Sequence, residues 1–151
     1  AKDTGLTPIE VSILASIVQA ETIKEEEASL VASLYINRLK KGMPLQADPT
    51  LKFALGDFAI KRILNVHKEI DSPYNTYTHA GLTPGPINLP EIWALEAVLN
   101  YKHTDYYYMC AKEDFSGYHN FTNDYQEHMN NARRYQRALT IEQRKGAELK
   151  K

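Results

Sequence analysis

The stretch Leu14-Ala15-Ser16-Ile17-Val18-Gln19-Ala20-Glu21-Thr22 decides how the rest of the chain is read. Leu14, Ile17 and Val18 recur at helical spacing, and the next position on their stripe is Glu21. One turn of helix therefore sets a carboxylate where the pattern calls for another apolar residue. A carboxylate on an apolar face loses solvation, which raises its pKa and lets it hold a proton near neutral pH, as a general acid must. The alternative is that the helix ends here and Glu21 turns into water, because ionised side chains are rarely fully buried. On this stretch alone both readings stand.

Working outward, Thr7-Pro8-Ile9-Glu10 reads as the helix start, with Thr7 as the N-cap, Pro8 in the first turn and Glu10 completing a capping box. After Glu21, the run Glu25-Glu26-Glu27 favours the N-terminus of a second helix through the helix dipole and is expected to be a solvated face. That helix carries Leu30, Val31 and Leu34 on one face and stops at Lys40-Lys41-Gly42 before Pro44. Asn37 continues the same stripe, so its amide is expected to face a polar centre or a neighbouring backbone group. The two helices are expected to form an antiparallel pair with Glu21 near one end.

Asp48-Pro49 reads as a second N-cap and first-turn pair opening a short helix through Leu55, with Gln46 in an extended segment before it. Capping alone would account for Asp48. The stretch from Gly56 to Asp71 reads as another short helix, with Phe58, Ile60, Ile63, Leu64 and Val66 among its apolar residues. Prolines and glycines then exclude regular structure from Asp71 to Ile87. Tyr74, Asn75 and Thr76 in that loop can hydrogen-bond in several ways, and such loops often line sites. A helix is expected from Asn88 to Asn100. Strands are expected at Tyr106–Ala111 and Tyr118–Thr122, with His119 and Phe121 on the face opposite Tyr118, Asn120 and Thr122. A last helix opens at Asp124, and the charged residues 140–151 are expected to fray. The sum is a helix-rich α+β fold with a small antiparallel sheet, in one domain spanning residues 1–151.

The composition, 43% hydrophobic and 25% charged over 151 residues, suits a globular protein with a real core. A formal net charge of −1 argues against a dedicated nucleic-acid binder. Ten tyrosines against four phenylalanines and one tryptophan supply flat apolar faces with polar rims, which suit sugar rings as well as ordinary packing. Cys110 is the single cysteine, so neither an internal disulfide nor a cysteine-based zinc cluster can form. No apolar run is long enough to cross a bilayer. The start at Ala1 without Met leads us to expect a fragment of a longer protein.

Several chemistries can be weighed on these residues. A glycosidase normally sets two carboxylates across the scissile bond, and Asp48 is the one tempting partner for Glu21. With a single carboxylate, hydrolysis is awkward, but a hydroxyl of the substrate can be the nucleophile while the same Glu acts first as acid and then as base. A thiol reading would pair Cys110 with His119 and Asn120, though no local motif supports an activated thiol, and an inert cysteine in a strand fits better. His67, His79, His103, His119 and His128 include no pair at a helical zinc-ligand spacing.

Four segments taken in order resemble the endolytic murein transglycosylase (YceG-like) family. They are Ala15–Thr22; Ile36–Leu39 with Leu45–Thr50; Ser72–Tyr77 with Gly81–Ile87; and His119-Asn120-Phe121. The likeness runs from Leu6 to about Leu139. It implies a bacterial cell-wall enzyme, without metal or organic cofactor, that cuts nascent peptidoglycan glycan strands internally between N-acetylmuramic acid and N-acetylglucosamine and leaves a 1,6-anhydro end. The family's catalytic glutamate falls on Glu21, which the helical stripe had also singled out. Asn37, Gln46, Asp48, Tyr74, Asn75, Thr76 and His119 would line the groove. The resemblance implies glycan strands as the partner, with peptidoglycan synthases as further candidates, and a location on the periplasmic side of the inner membrane. Gln19 stands where the family often has an acid, Ala47 where a Thr is common, and Thr83 where a Pro is common. The membrane helix and LysM-like domain usual in the family lie outside this sequence, so membrane attachment is expected only for a parent chain. Two rivals remain: a peptidoglycan-binding module that does not cut, and a muramidase using Glu21 with Asp48.

Overall fold

Helix α1 spans Pro8–Glu21 and opens on the capping box read from the sequence. The Glu10 amide donates to the Thr7 hydroxyl at 3.2 Å, and the Thr7 amide donates to the Glu10 carboxylate at 2.9 Å. Every residue from Ile13 to Val18 is buried. A helix enclosed all round must be covered on several sides, and α2 (Glu25–Lys41), α3 (Asp48–Leu55) and α4 (Ile92–Leu99) all pack against it. Leu14, Ile17, Val18, Val31, Leu51 and Val98 are fully buried and form the centre of this core. Burying each such side chain stabilises the fold by about 1.5–3 kcal/mol.

The computed structural model describes residues 4–57 and 63–149. Contacts divide the chain into two units, Ala1–Thr104 and Asp105–Lys151. In the first, α2 stops as its sequence predicts: Gly42 takes a left-handed φ of 72°, and its amide bonds back to the Arg38 and Leu39 carbonyls. Glu25 and Glu26 are exposed, but Glu27 is buried and accepts from the Thr22 hydroxyl at 3.3 Å, which corrects the expected solvated face at that residue. Phe58 and Ile60 lie outside the described residues. From Ile63 onward the expected helix reduces to a 3-10 turn at His67–Glu69.

The helix expected from Asn88 begins four residues later, at Ile92, because α1 occupies the intervening polar groups. The Ile87 amide donates to the Ser16 hydroxyl at 3.0 Å, the Asn88 carboxamide to the Ser16 carbonyl at 2.8 Å, and the Glu91 amide to the Gln19 side chain at 2.6 Å. Gln19 also donates to the Asn88 side chain and the Leu89 carbonyl, both at 3.3 Å. Gln19 therefore fastens the segment leading into α4.

The second unit holds β1 (Tyr108–Ala111), β2 (His119–Thr122) and α5 (Tyr125–Leu149). The strands pair antiparallel, with Cys110 opposite Asn120 and Ala111 opposite His119. Both are shorter than expected, although the flanking bonds Tyr107 N–H to Thr122 O and Lys112 N–H to Tyr118 O extend the ladder at either end. α5 packs on both strands, and the Tyr108 ring stacks on His128 with centroids 5.1 Å apart. α5 runs on past residue 140, from which fraying is expected, to Leu149. The α+β class with a small antiparallel sheet holds. No helix among the described residues is long and apolar enough to cross a membrane.

Truncating the centre of this core, Leu14→Ala, is expected to lower the unfolding free energy by about 2–5 kcal/mol in a denaturant titration, since the enclosed site has little room to collapse.

Candidate active site

Glu21 is the last residue of α1, half-buried, at the foot of the apolar stripe formed by Leu14, Ile17 and Val18. The helix does end here, with the Thr22 amide bonding back to the Val18 carbonyl at 3.2 Å. Yet the carboxylate does not simply turn into water, because the hydroxyl of Tyr35 from α2 hydrogen-bonds to it. Tyr35 is 2% exposed, one of the largest enclosed side chains in the chain.

Asp48 corrects its sequence reading. The cap of α3 is Ala47, and no side chain caps that end; Asp48 is the first helical residue and Pro49 the second. The Asp48 carboxylate is exposed and accepts a short hydrogen bond from the Tyr77 hydroxyl. Capping therefore does not account for Asp48. Gln46 is exposed as well, but its φ of 53° is left-handed rather than extended. Its amide donates to the Thr76 carbonyl at 3.1 Å, and this turn swings the chain into α3.

Thr76 fastens that turn from the other side. Buried at 2% exposure, its hydroxyl accepts from the Ala47 amide at 2.9 Å and lies 2.8 Å from the Thr50 hydroxyl. Asn75 is fully buried and organises the loop. Its amide nitrogen donates to the Lys68 and Ile70 carbonyls at 3.0 and 2.8 Å, and its oxygen accepts from the Tyr77 amide at 2.9 Å. These two side chains hold the loop, whereas Tyr74 is half-buried and packs its ring against Phe53 with centroids 4.8 Å apart. A Cβ at Gly85 would stand 3.2 Å from the Tyr74 hydroxyl, so the loop passes close over that ring. Asn37 is half-buried and caps a backbone group, donating to the Thr104 carbonyl at 2.9 Å.

His119 belongs to the Asp105–Lys151 unit, half-buried on β2 with its ring 6.3 Å from that of Phe121. The register puts Cys110 and Asn120 on one face of the sheet and His119 on the other, so the strand positions do not make a thiol–imidazole pair. Burial and the Glu113 carboxylate push the Cys110 thiol up, away from the reactive thiolate.

Three residues near the carboxylates had not been singled out as site residues from the sequence. Tyr35 sits among the apolar residues of α2 and reads as core. Tyr77 ends the Tyr74–Tyr77 segment and differs from its neighbours only in reaching Asp48. Arg38 is 6% exposed and donates to the Pro44 carbonyl at 2.7 Å. Burial pushes both phenols up, as do the charges of Glu21 and Asp48, while the Arg38 charge acts the other way. Each phenol thus feels both carboxylates. Arg38 gave no signal in the sequence, because it stands with Lys40 and Lys41 in the basic last turn of α2 and only its burial sets it apart.

The chain is a helix-rich α+β protein in whose Ala1–Thr104 unit two carboxylates, Glu21 and Asp48, are each bonded to a tyrosine hydroxyl. The sequence profile of the YceG-like family matches residues 1–134, and the chain belongs to that family. It is 44% identical over 115 residues to an endolytic murein transglycosylase of Bacillus subtilis (strain 168), covering 76% of this chain and 31% of that protein. An endolytic murein transglycosylase of Streptococcus pneumoniae serotype 2 (strain D39) is 35% identical over 114 residues, covering 73% of this chain and 21% of the relative. The crystal structure of a YceG-like protein from Listeria monocytogenes superposes with a TM-score of 0.78 at 33% identity, over 85% of this chain and 41% of that one. The chain thus spans less than half the length of each of these proteins.

Asn75→Ala would leave two carbonyls and an amide without their side-chain partner, at a cost of about 1–3 kcal/mol for each group that stays buried. A denaturant titration, with hydrogen exchange at the Tyr77 amide, is expected to show both the loss and its position in the loop. The two raised phenols set an alkaline limit. The unfolded chain gives up these protons near the ordinary value of 10.0 and the folded chain keeps them, so their contribution is intact below that pH and is lost as pH rises above it. Unfolding midpoints across this range should fall more steeply for the native protein than for the Tyr35→Phe, Tyr77→Phe double variant.

Proposed function

We propose that this chain is the catalytic part of an endolytic peptidoglycan lytic transglycosylase, with Glu21 as its acid–base group. The observation that carries the reading is the half-buried carboxylate at the end of an enclosed helix, met there by a buried phenol. The names borne by the Bacillus and Streptococcus relatives support the substrate class.

In the proposed reaction, protonated Glu21 gives its proton to the oxygen linking N-acetylmuramic acid to N-acetylglucosamine, and the bond from that oxygen to the muramoyl anomeric carbon breaks. The muramoyl C6 hydroxyl then forms the new bond to the same carbon, and its proton passes to the Glu21 carboxylate. The products are a free N-acetylglucosamine end and a 1,6-anhydro-muramoyl end. No water is consumed, and Glu21 is returned protonated, so one carboxylate serves both steps. Asn37, Gln46, Asp48 and Tyr74 are proposed to line a groove of the Ala1–Thr104 unit, with Asn75 and Thr76 shaping it, and His119 of the Asp105–Lys151 unit is proposed as a further substrate-binding residue. Peptidoglycan lies outside the cytoplasmic membrane, so the proposal places the activity on the periplasmic side, with synthases as candidate neighbours of the parent protein.

A hydrolytic reading is favoured by one specific observation: Asp48 is exposed, bonded to Tyr77 and not used as a cap. With Glu21 as acid and Asp48 as base or nucleophile, the product would be a reducing muramic acid. Digestion of purified glycan strands followed by mass spectrometry of the ends separates the two. Anhydro ends from the native protein are expected, and Glu21→Gln is expected to lower cleavage by about 10²–10⁴-fold with the fold retained. Reducing ends would transfer the assignment to hydrolysis, and near-native cleavage by Glu21→Gln would remove Glu21 from the mechanism.

A further inference from the structure

The segment Asn75–Tyr77 and the turn into α3 are joined side by side. The Gln46 amide donates to the Thr76 carbonyl at 3.1 Å, the Ala47 amide donates to the Thr76 hydroxyl at 2.9 Å, and the Thr50 hydroxyl lies 2.8 Å from that of Thr76. None of these bonds uses the side chain at 48 or 77, so the two segments are strapped together without them. Tyr77 nevertheless donates its hydroxyl to Asp48 Oδ1. Its side chain is also fixed elsewhere: Asn75 Oδ1 accepts from the Tyr77 amide at 2.9 Å, and the Lys68 ammonium lies 5.0 Å from the centre of the Tyr77 ring. Burial and the Asp48 charge push the phenol up, so it keeps its proton and remains the donor of the pair at neutral pH. Asp48 is exposed and is not used as a cap for α3. An exposed hydrogen bond adds little to a fold already strapped beside it, but it does fix where the carboxylate points. An ionised carboxylate has about four acceptor sites. Tyr77 takes one, which leaves capacity for the donors of a ligand.

We propose that Tyr77 is a positioning residue for Asp48, holding that carboxylate in the orientation in which it accepts from hydroxyl and amide N–H groups of a glycan strand. An exposed aspartate left to itself samples several staggered rotamers, and a ligand that binds one of them bears the entropy of fixing it. A carboxylate already gripped by a phenol, whose own amide and ring are fixed, meets the ligand with that entropy already lost. With Oδ1 bonded to the phenol, Oδ2 remains for the glycan. Tyr77 need not touch the glycan to do this. The inference rests on Asp48 lining the proposed groove, and it adds the residue through which that groove would fix its acceptor.

The test is a double-mutant cycle on binding, read by calorimetry with purified, uncrosslinked peptidoglycan glycan strands, with circular dichroism reporting the fold. Every protein in the cycle carries Glu21→Gln, so that the proposed reaction does not consume the strands. Asp48→Ala is expected to weaken binding about tenfold or more, and Tyr77→Phe about two- to tenfold. Because Tyr77 acts through Asp48, adding Tyr77→Phe to Asp48→Ala is expected to weaken binding no further. A purely structural role for Tyr77 would give the same loss whether or not Asp48 is present, and that result overturns the proposal. Binding unchanged by either single variant overturns it too. Asp48→Glu keeps the charge but carries it one methylene further, and it is expected to bind more weakly than its parent. Undiminished binding by Asp48→Glu means that charge without position suffices and overturns the proposal, even should Tyr77→Phe fail to fold. Cleavage by the native protein is scored separately. Strands that it cuts, with additive losses in the cycle, overturn this inference alone. Strands that it binds but leaves whole remove the lytic reading, and the cycle still judges Tyr77. Strands that it does not bind overturn this inference outright.

Discussion

The Ala1–Thr104 unit depends on the enclosure of α1. A helix in which every residue from Ile13 to Val18 is buried cannot lie on a surface, so α2, α3 and α4 must approach it from different sides. Ser16 would be a liability at that depth. Its hydroxyl is instead used twice, donating to the Ile13 carbonyl at 2.6 Å and accepting from the Ile87 amide. The same requirement that buries the helix therefore draws in the segment before α4. It also leaves Glu21 at the point where the enclosure opens, the one position on the stripe where a carboxylate can be both sheltered and reached.

The arrangement of polar residues follows a division of labour. Asn75, Thr76 and Gln19 spend their hydrogen bonds on backbone groups of neighbouring segments, which fixes loops that have no regular structure of their own. Tyr35 and Tyr77 spend theirs on carboxylates. The first set fixes backbone segments and the second ties side chain to side chain. Arg38, almost wholly buried, donates to the Pro44 carbonyl, and its charge opposes the rise of both phenols.

Much of this was legible in the sequence, and the failures have physical causes. Local signals were read well where they act alone: the Thr7–Glu10 capping box, the Gly42 stop and the alternation across β1 and β2 all follow from near neighbours. Asp48-Pro49 has the composition of a cap, but the chain turns one residue earlier because Gln46 adopts a left-handed conformation, bonded to a loop distant in sequence. The late start of α4 has the same origin, since Asn88 and Glu91 bond to Ser16 and Gln19 on α1. Glu21 was visible because it broke a periodic pattern. Tyr35 was not, because a tyrosine on an apolar face keeps the pattern whether or not its hydroxyl has a task.

The loop around Asn75 carries a consequence for how such a protein can vary. Its hub reads backbone atoms of Lys68, Ile70 and Tyr77, not their side chains. Whatever residue stands at 68 or 70 presents the same carbonyl, and the exposed positions Asp71, Pro73 and His79 take no part in the hub through their side chains. The outer surface of the loop is thus decoupled from its frame, so its surface chemistry can drift while Asn75 keeps Tyr77 bonded to Asp48. A single buried amide makes the neighbourhood of the site evolvable without loosening the site itself.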